Sequence, residues 1–284
     1  VLLCFFDRRL PAHGMCFIVR FSFGQIVVMQ SSDRRMSIYA ILQQDKKVVV
    51  NELAEKFGVT KMTIRRDLSF FEKQGIVKTT YGGAYLTSGA SVEPSFQLKS
   101  VQMVDDKHLI GRKAAELVED GDTIIIDCGT TLLALAQSIF DKKIMVITNS
   151  VPVVNLLKGR KNIKLIVAPG EYEDDTQGMI SFSTAEFFST IHADKVFIST
   201  QGINHHGELT VPKMTDAHVK RALLRAGRQK ILLADKSKFE QTFLAGHARL
   251  DDFDIVISQD GLPADILSLL TAQKTELLLA DSAA

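Results

Sequence analysis

VNELAEKFGVTKMTIRRDLSFFEKQGIVKTTYGG, residues 50–83, holds two helix patterns separated by a break at Gly58. The first opens on Asn51 and runs through Glu52, Leu53, Ala54, Lys56 and Phe57; Thr60 opens the longer second one. Asn and Thr suit such starts because a side-chain oxygen accepts from backbone N–H groups that a helix start leaves unpaired. On the second helix Ile64, Leu68 and Phe71 recur at i, i+4 and i+7 and face a small core. Lys61, Met62, Thr63, Arg65 and Arg66 are left on or near its exposed front. Two helices joined by a tight turn, the second carrying cations and short polar groups near its start, is how a helix is offered to a DNA major groove.

Working outward, Ser32 or Asp33 can cap an earlier helix whose Ile38, Ile41 and Leu42 pack on the other two. After Gly75, the β-branched run Ile76-Val77-Lys78-Thr79-Thr80-Tyr81 meets Gly82-Gly83 and resumes as Ala84-Tyr85-Leu86, a hairpin signal that reads as a wing. Lys78 and Tyr81 then lie near the phosphate backbone. Arg65 or Arg66 can bind the O6/N7 edge of guanine, Thr63 and Met62 can touch thymine methyls, and Thr60, Lys61 and Lys78 suit phosphates. The same spacing lets either arginine pair instead with Asp67 or Glu72 across a helical turn, and both readings stand.

The 284-residue chain is long enough for one large or two ordinary domains, and its net charge of +1 names no partner by itself. Residues 30–90 carry 10 Lys/Arg against 6 Asp/Glu, whereas residues 91–284 carry 21 against 26. A basic head on an acidic body fits a nucleic-acid reader attached to something else. Cys4, Cys16 and Cys128 are scattered, without CxxC spacing, so neither a disulfide framework nor a metal site is expected and a cytoplasmic setting is. Residues 1–28 look foreign to the rest. The apolar run 15–29 is interrupted by Arg20, falls short of the ~20 residues of a membrane span and lacks the order of a secretory signal. It is read as a non-native or disordered extension, translation starting at Met29 or Met36, with a peripheral membrane tether as the alternative.

Beyond Lys107, short apolar runs at 123–127, 143–148, 163–168, 195–200, 230–235 and 253–258 alternate with helical patterns. This predicts an α/β, mostly parallel sheet covered on both faces, with ligands beyond the carboxyl ends of its strands. Asp127-Cys128-Gly129-Thr130-Thr131 leaves one strand and starts a helix, so backbone N–H groups and two hydroxyls can cradle a phosphate. Thr148-Asn149-Ser150, Pro169-Gly170, Gln201-Gly202-Ile203 and Asp235-Lys236-Ser237-Lys238-Phe239 leave four others, and Lys220 and Arg221 lie on an intervening helix. Each is also an ordinary cap or turn residue; together they point to a pocket for a phosphorylated ligand.

Residues 50–84 resemble the DNA-binding domain of the DeoR family of bacterial sugar-metabolism regulators, through Glu52-Leu53-Ala54-Glu55, Phe57-Gly58-Val59-Thr60, Thr63-Ile64-Arg65-Arg66-Asp67-Leu68, Glu72, Gly75 and Gly82-Gly83-Ala84. Tyr81 departs from the family's usual His. Residues 92–262 resemble that family's sensor domain, itself related in fold to ribose-5-phosphate isomerase, through Asp122-Thr123, Asp127 with Gly129-Thr130-Thr131, Thr148-Asn149-Ser150, Gly178, Asp194-Lys195, Gly202-Ile203, Val219-Lys220-Arg221-Ala222 and Asp235 with Ser237-Lys238-Phe239. The resemblance implies a phosphorylated sugar effector held by Asp127, Thr130, Asn149, Lys220, Asp235 and Lys238. Pro169 replaces a usual glycine, and Asn204 an acid, which removes a possible catalytic carboxylate. The expected organisation is an extension (1–28), a winged helix-turn-helix domain (30–86), a linker (87–106), an effector-binding domain (107–262) and a C-terminal helix and tail (263–284). The expected protein is a repressor of a carbohydrate-use operon, a homodimer or homotetramer on double-stranded operator DNA, without cofactor, membrane partner or catalysis. The alternative is an isomerase-like enzyme with an appended DNA-binding domain, using Asp127, Asp235 or Glu208 as its base.

Overall fold

The computed structural model describes residues 17–20, 26–29, 31–73, 75–87, 95–100, 103–273 and 275–280. The chain forms two compact units, Val1–Thr87 and Ser88–Ala284. Of the expected extension, residues 1–16 and 21–25 lie outside the described residues. Within it β1 (Phe17–Arg20) pairs antiparallel with β2 (Ile26–Met29).

The first unit then continues with α1 (Ser31–Asp45), β3 (Lys47–Val49), α2 (Val50–Phe57), α3 (Lys61–Lys73), β4 (Val77–Thr79) and β5 (Gly83–Leu86). Ile38, Leu42, Leu53, Phe57, Ile64, Leu68 and Phe71 are buried together as the helical spacing requires. Gly58 ends α2 in the left-handed conformation at φ 63°, and its N–H and that of Val59 satisfy the last carbonyls. Thr60 caps α3, its hydroxyl accepting from Thr63 N–H at 3.2 Å. Two expected caps are corrected. α1 already includes Ser32 and Asp33, and α2 starts at Val50, leaving Asn51 in its first turn. Strand β3 runs straight into α2, and Val50 N–H donates to Gly82 O at 2.8 Å, so backbone does the work assigned to Asn51. The wing is a three-stranded antiparallel sheet in the order β3-β5-β4, with Tyr81 at its tip.

The second unit opens with α4 (Phe96–Ser100), α5 (Val104–Ala115), β6 (Thr123–Ile126), α6 (Thr130–Gln137), β7 (Ile144–Thr148), α7 (Val151–Leu157) and β8 (Ile163–Val167). It continues with β9 (Tyr172–Glu173), β10 (Gly178–Met179), α8 (Phe182–Ser189), β11 (Ala193–Ile198), β12 (Gly202–Ile203), β13 (Glu208–Val211), α9 (Met214–Ala226) and β14 (Gly227–Leu233). β15 (Ala245–Arg249), β16 (Ile255–Ser258), α10 (Ala264–Ala272) and β17 (Glu276–Leu279) complete it. Seven strands form one parallel sheet in the order β17-β16-β14-β11-β6-β7-β8, with an apolar cluster on each face. β12, β13 and β15 form a small antiparallel sheet. The stretch 87–106 is not wholly a linker: α4 lies in it, with Phe96 and Leu98 buried, and α5 begins in it. Residues 88–94 of that stretch lie outside the described residues. Nor is the C-terminal segment only a helix and tail, since β17 extends the sheet in parallel beside β16.

Asp67 is 1 % exposed, and its carboxylate takes Arg34 Nε at 2.6 Å and Arg35 Nε at 2.9 Å, tying α3 to α1. Removing one partner of a buried pair leaves the other charge desolvated, at a cost of about 3 kcal/mol. Asp67→Ala should lower the stability of the first unit by about that much. The chain has no Trp and four Tyr, three of them (Tyr39, Tyr81, Tyr85) in this unit. Urea unfolding followed by tyrosine fluorescence therefore reads the effect, and an unchanged midpoint refutes it.

Candidate functional site

On the first unit, the front of α3 and the wing expose Thr60, Lys61, Met62, Arg65, Arg66, Lys78 and Tyr81, with Thr63 half-buried. Met62 is 65 % and Tyr81 96 % exposed. The structure bears on the pairing of the arginines with Asp67 or Glu72. Asp67 is occupied by Arg34 and Arg35, and Glu72 accepts both the N–H (2.9 Å) and the hydroxyl (2.5 Å) of Thr79. The Thr79 hydroxyl, then its N–H, hold the Glu72 carboxyl below its ordinary value. Neither Arg65 nor Arg66 has an ion-pair partner among the described residues. The Glu72–Thr79 contact also fixes the wing against the end of α3. Arg65 lines a hollow there with Ser69, Glu72, Thr80 and Tyr81.

On the second unit, the exits of β6 and β11, the start of α6 and the middle of α9 border a narrow cleft of about 20 Å³. Lys99, Cys128, Gly129, Thr130, Thr131, Ser199, Thr200, Gln201, Lys220 and Lys238 line it. Gly129 precedes α6 with φ 152° and ψ 155°, a conformation open essentially to glycine alone. The turn lets α6 begin at once, so its first N–H groups, which no helix can satisfy internally, open beside Thr130 and Thr131. Beneath the cleft Lys220 Nζ meets Asp127 Oδ2 at 2.5 Å and Ser199 O at 3.0 Å, with Asp216 Oδ1 at 3.9 Å. Burial opposes the Lys220 ammonium, but Asp127 and Asp216 outweigh it and hold its pKa above the ordinary lysine value.

Beside this pair, Asp235 is fully buried; its Oδ1 accepts from the N–H (3.0 Å) and hydroxyl of Ser237, while Oδ2 accepts no hydrogen bond among the described residues. Burial raises its pKa, but Lys238, Lys107 and Ser237 more than compensate, and the carboxyl stays below its usual value. Lys107, buried on α5, donates to Lys99 O at 2.5 Å. Burial, aided by Lys238 and Lys99 against the pull of Asp235, brings its pKa down to about 8. His247 lies behind Thr200, Nε2 to Oγ1 3.0 Å; burial, then Lys220 and Arg221, keep it well below its ordinary pKa and hence neutral.

The cleft thus gathers Gly129, Thr130, Thr131, Lys220 and Lys238 from the expected set, with Asp127 beneath and Asp235 beside it. The other four residues of the expected set are not among its lining either. Ser150 caps α7 through Val153 N–H, and Asn149 turns its amide to Met179 O. Around Gly170 a Cβ would meet Thr184 Oγ1 at 2.1 Å, and at Gly202 it would meet Gln241 O at 2.6 Å. Those glycines admit neighbouring chain, not ligand. Sequence reasoning missed Lys99 by assigning 87–106 to a linker, and it did not single out Lys107, the first residue of the expected effector-binding domain, as a site residue. Phe96 and Leu98, flanking Lys99 within a few residues, were the available signal that this stretch packs. Among the described residues no His, Cys, Asp and Glu cluster could hold a metal, and none of the helices is long and apolar enough to cross a membrane.

A winged helix-turn-helix unit followed by a parallel α/β unit with a cationic cleft at its strand ends defines a two-part regulator architecture. Residues 34–89 match the DeoR-like helix-turn-helix domain and residues 102–260 the DeoR C terminal sensor domain. The chain belongs to the DeoR family of transcriptional regulators. It is 32% identical to the HTH-type transcriptional repressor GlcR of Bacillus subtilis (strain 168), over 89% of this chain and 98% of that one. It is 30% identical to the Glycerol-3-phosphate regulon repressor of Escherichia coli (strain K12), over 88% and 100%. It is also 30% identical to the Lactose phosphotransferase system repressor of Staphylococcus epidermidis, over 82% and 93%. Ribose 5 phosphate isomerase A from Neisseria gonorrhoeae aligns at 18% identity and TM-score 0.35 over 47% of this chain and 52% of that one, too loosely to argue from.

Lys107 gives the site a pH signature. Its folded pKa lies below its unfolded value, so charged Lys107 penalises folding fully below pH 8, and the penalty fades as pH rises toward 10.5. Comparing wild type with Lys107→Gln by urea titration should show wild type gaining up to about 3 kcal/mol relative to the variant across that window. A difference independent of pH would contradict the assignment.

Proposed function

We propose that this chain represses a carbohydrate-use operon, binding operator DNA through α3 and the wing and leaving it when a small phosphorylated sugar occupies the cleft. The observation that carries the effector reading is the convergence of Lys220, Lys238, Thr130, Thr131 and the start of α6 on one cleft. A phosphate answers the ammonium and N–H groups, and hydroxyls answer Gln201, Ser199 and Thr200. Three relatives named as repressors, one of a glycerol-3-phosphate regulon and one of a lactose phosphotransferase system, support the same reading.

On DNA, Arg65 and Arg66 read base edges, Thr63 and Met62 touch thymine methyls, and Thr60, Lys61, Lys78 and Tyr81 hold the backbone. Thr60 does this with the donor of a hydroxyl that already caps α3. A single head reads a short half-site, so a homodimer or homotetramer is the working form, and the cytoplasm its setting. The unit 30–86 reads DNA and 107–262, extended by β17, senses.

Arg65→Ala and Arg66→Ala should each lose about 1–3 kcal/mol of discrimination between operator and random DNA, while Lys78→Ala weakens both alike. Fluorescence anisotropy on duplexes selected from a random pool measures this; both arginine variants at wild-type preference would defeat the DNA assignment. A thermal-shift panel of glucose 6-phosphate, fructose 6-phosphate, fructose 1-phosphate, ribose 5-phosphate and glycerol 3-phosphate tests the effector, since stabilisation grows with ligand over its Kd. Saturable binding without turnover is expected. Isomerisation of any panel member would favour the enzyme reading.

A further inference from the structure

Arg65, Ser69 and Glu72 fall at i, i+4 and i+7, one stripe of α3, and line a hollow of about 280 Å³ together with Thr79, Thr80 and Tyr81 of the wing. β4 is the outer strand of the wing in the order β3-β5-β4. Thr80 N–H turns inward to Gly83 O at 2.8 Å, so the N–H of Thr79 points away from β5, where an edge strand has no partner in its own sheet. Glu72 supplies one. A single oxygen, Oε1, accepts from both the N–H of Thr79 at 2.9 Å and its hydroxyl at 2.5 Å. No other side-chain hydrogen bond joins α3 to the wing among the described residues.

Glu72 is itself exposed, whereas Leu68, Phe71, Ile76 and Val77, which bring the end of α3 and the root of the wing into one core, are buried. The fold therefore asks little of this carboxylate. On a face that meets DNA, moreover, an anion opposes a polyanion. What offsets that repulsion is where the bond lands: Lys78 stands one residue before Thr79, and Tyr81, at the tip, two residues after it. We propose that Glu72 is a positioning residue for DNA binding, setting the wing at a fixed distance from α3 so that Lys78 and Tyr81 reach the backbone of the half-site whose bases Arg65 and Arg66 read. A hairpin tethered beforehand loses less conformational freedom on binding than one that swings. This rests on the DNA reading above and adds the residue that joins helix and wing into a single reading surface.

The test uses the full chain and the tightest duplex selected from a random pool, with affinity read by anisotropy. Replacing both Lys78 and Tyr81 by Ala should weaken the wild type roughly tenfold, two backbone contacts being lost. Glu72→Met, which keeps the length of the side chain but has only a weak acceptor, should by itself lose most of that factor. In its background the paired Lys78→Ala and Tyr81→Ala changes should weaken binding by less than about twofold more, the non-additivity of groups that act together. Glu72→Gln keeps an oxygen for both Thr79 donors and drops the charge, so it should bind within about twofold of wild type or tighter. Met and Gln are equally uncharged, so charge cannot account for a difference between them. Thr79→Val, which keeps the branched shape and removes the hydroxyl, should weaken binding in the same direction and serves should Glu72→Met fold poorly. Glu72→Met binding as tightly as Glu72→Gln, or the wing pair mattering equally with and without Glu72, would overturn the proposal while leaving the DNA reading intact. A wing pair without effect in the wild type would instead remove the wing from the DNA reading, and this proposal with it.

Discussion

Lys220 and Asp127 form an ion pair beneath the cleft with almost no exposure to water, the ammonium at 2.5 Å from one carboxylate oxygen while the other accepts from Cys128 N–H. Removing two charges from water costs several kcal/mol per ion, and only close geometry with further hydrogen bonds recovers it. Apolar residues of equal volume would hold α9 against β6 and β11 as well. What they would not supply is a fixed cation at the strand ends. A lysine ammonium has three donors; Asp127 and Ser199 O take two, and Asp216 at 3.9 Å lies beyond hydrogen-bond reach. The remaining donor and the start of α6 belong to the same cleft. The pair therefore converts a costly burial into a positioned charge.

The first unit obeys a similar economy. Its two acids nearest the recognition surface are spent internally, Asp67 on Arg34 and Arg35 and Glu72 on Thr79. Had either acid turned to Arg65 or Arg66, the front of α3 would present neutral pairs to an anionic polymer. Drawing Asp67 into the core between α1 and α3 both binds the helices and keeps α3's front cationic. One contact serves stability and the other aligns the wing.

Much of this was legible in the chain because periodicity survives wherever a surface is buried. Ile64, Leu68 and Phe71 announce a helix facing a core, and the unbroken apolar run of Ile124, Ile125 and Ile126 announces a strand covered on both faces. Legibility failed where structure rests on few residues or on backbone alone. α4 spans five residues, too few for a period, so Lys99 passed as linker. β17 follows a leucine-rich helix after only a short break, and its Leu277 and Leu278 read as more of the same. The start of α2 is satisfied by Gly82 O, a partner no local pattern reveals. Strand exits were found, yet Asn149, Ser150, Gly170 and Gly202 show that an exit names a neighbourhood and not the direction in which a side chain leaves it.

The same locked charges bear on whether the cleft holds a general base. A general base needs a lone pair that can reach a substrate proton and a pKa near the working pH. Asp127 has both oxygens engaged and no exposure. Asp235, pulled below the usual carboxylate range, is a weak base with one oxygen held by Ser237. Glu208 accepts from the amide of Asn204, whose own oxygen closes the turn by accepting from His206 and Glu208 N–H. An aspartate at 204 could close that turn, but it would repel Glu208; the asparagine joins it. His247 is neutral, but it lies behind Thr200 and not in the cleft wall. Asp127 and Glu208 are thus committed to the fold and Asp235 gives it one oxygen, while Lys220 and Lys238 line the cleft. A site of this kind can prefer one arrangement of the chain when a ligand is bound. A difference of about 1–3 kcal/mol between arrangements already alters DNA affinity roughly 5- to 150-fold, which is within reach of one or two charge-assisted contacts.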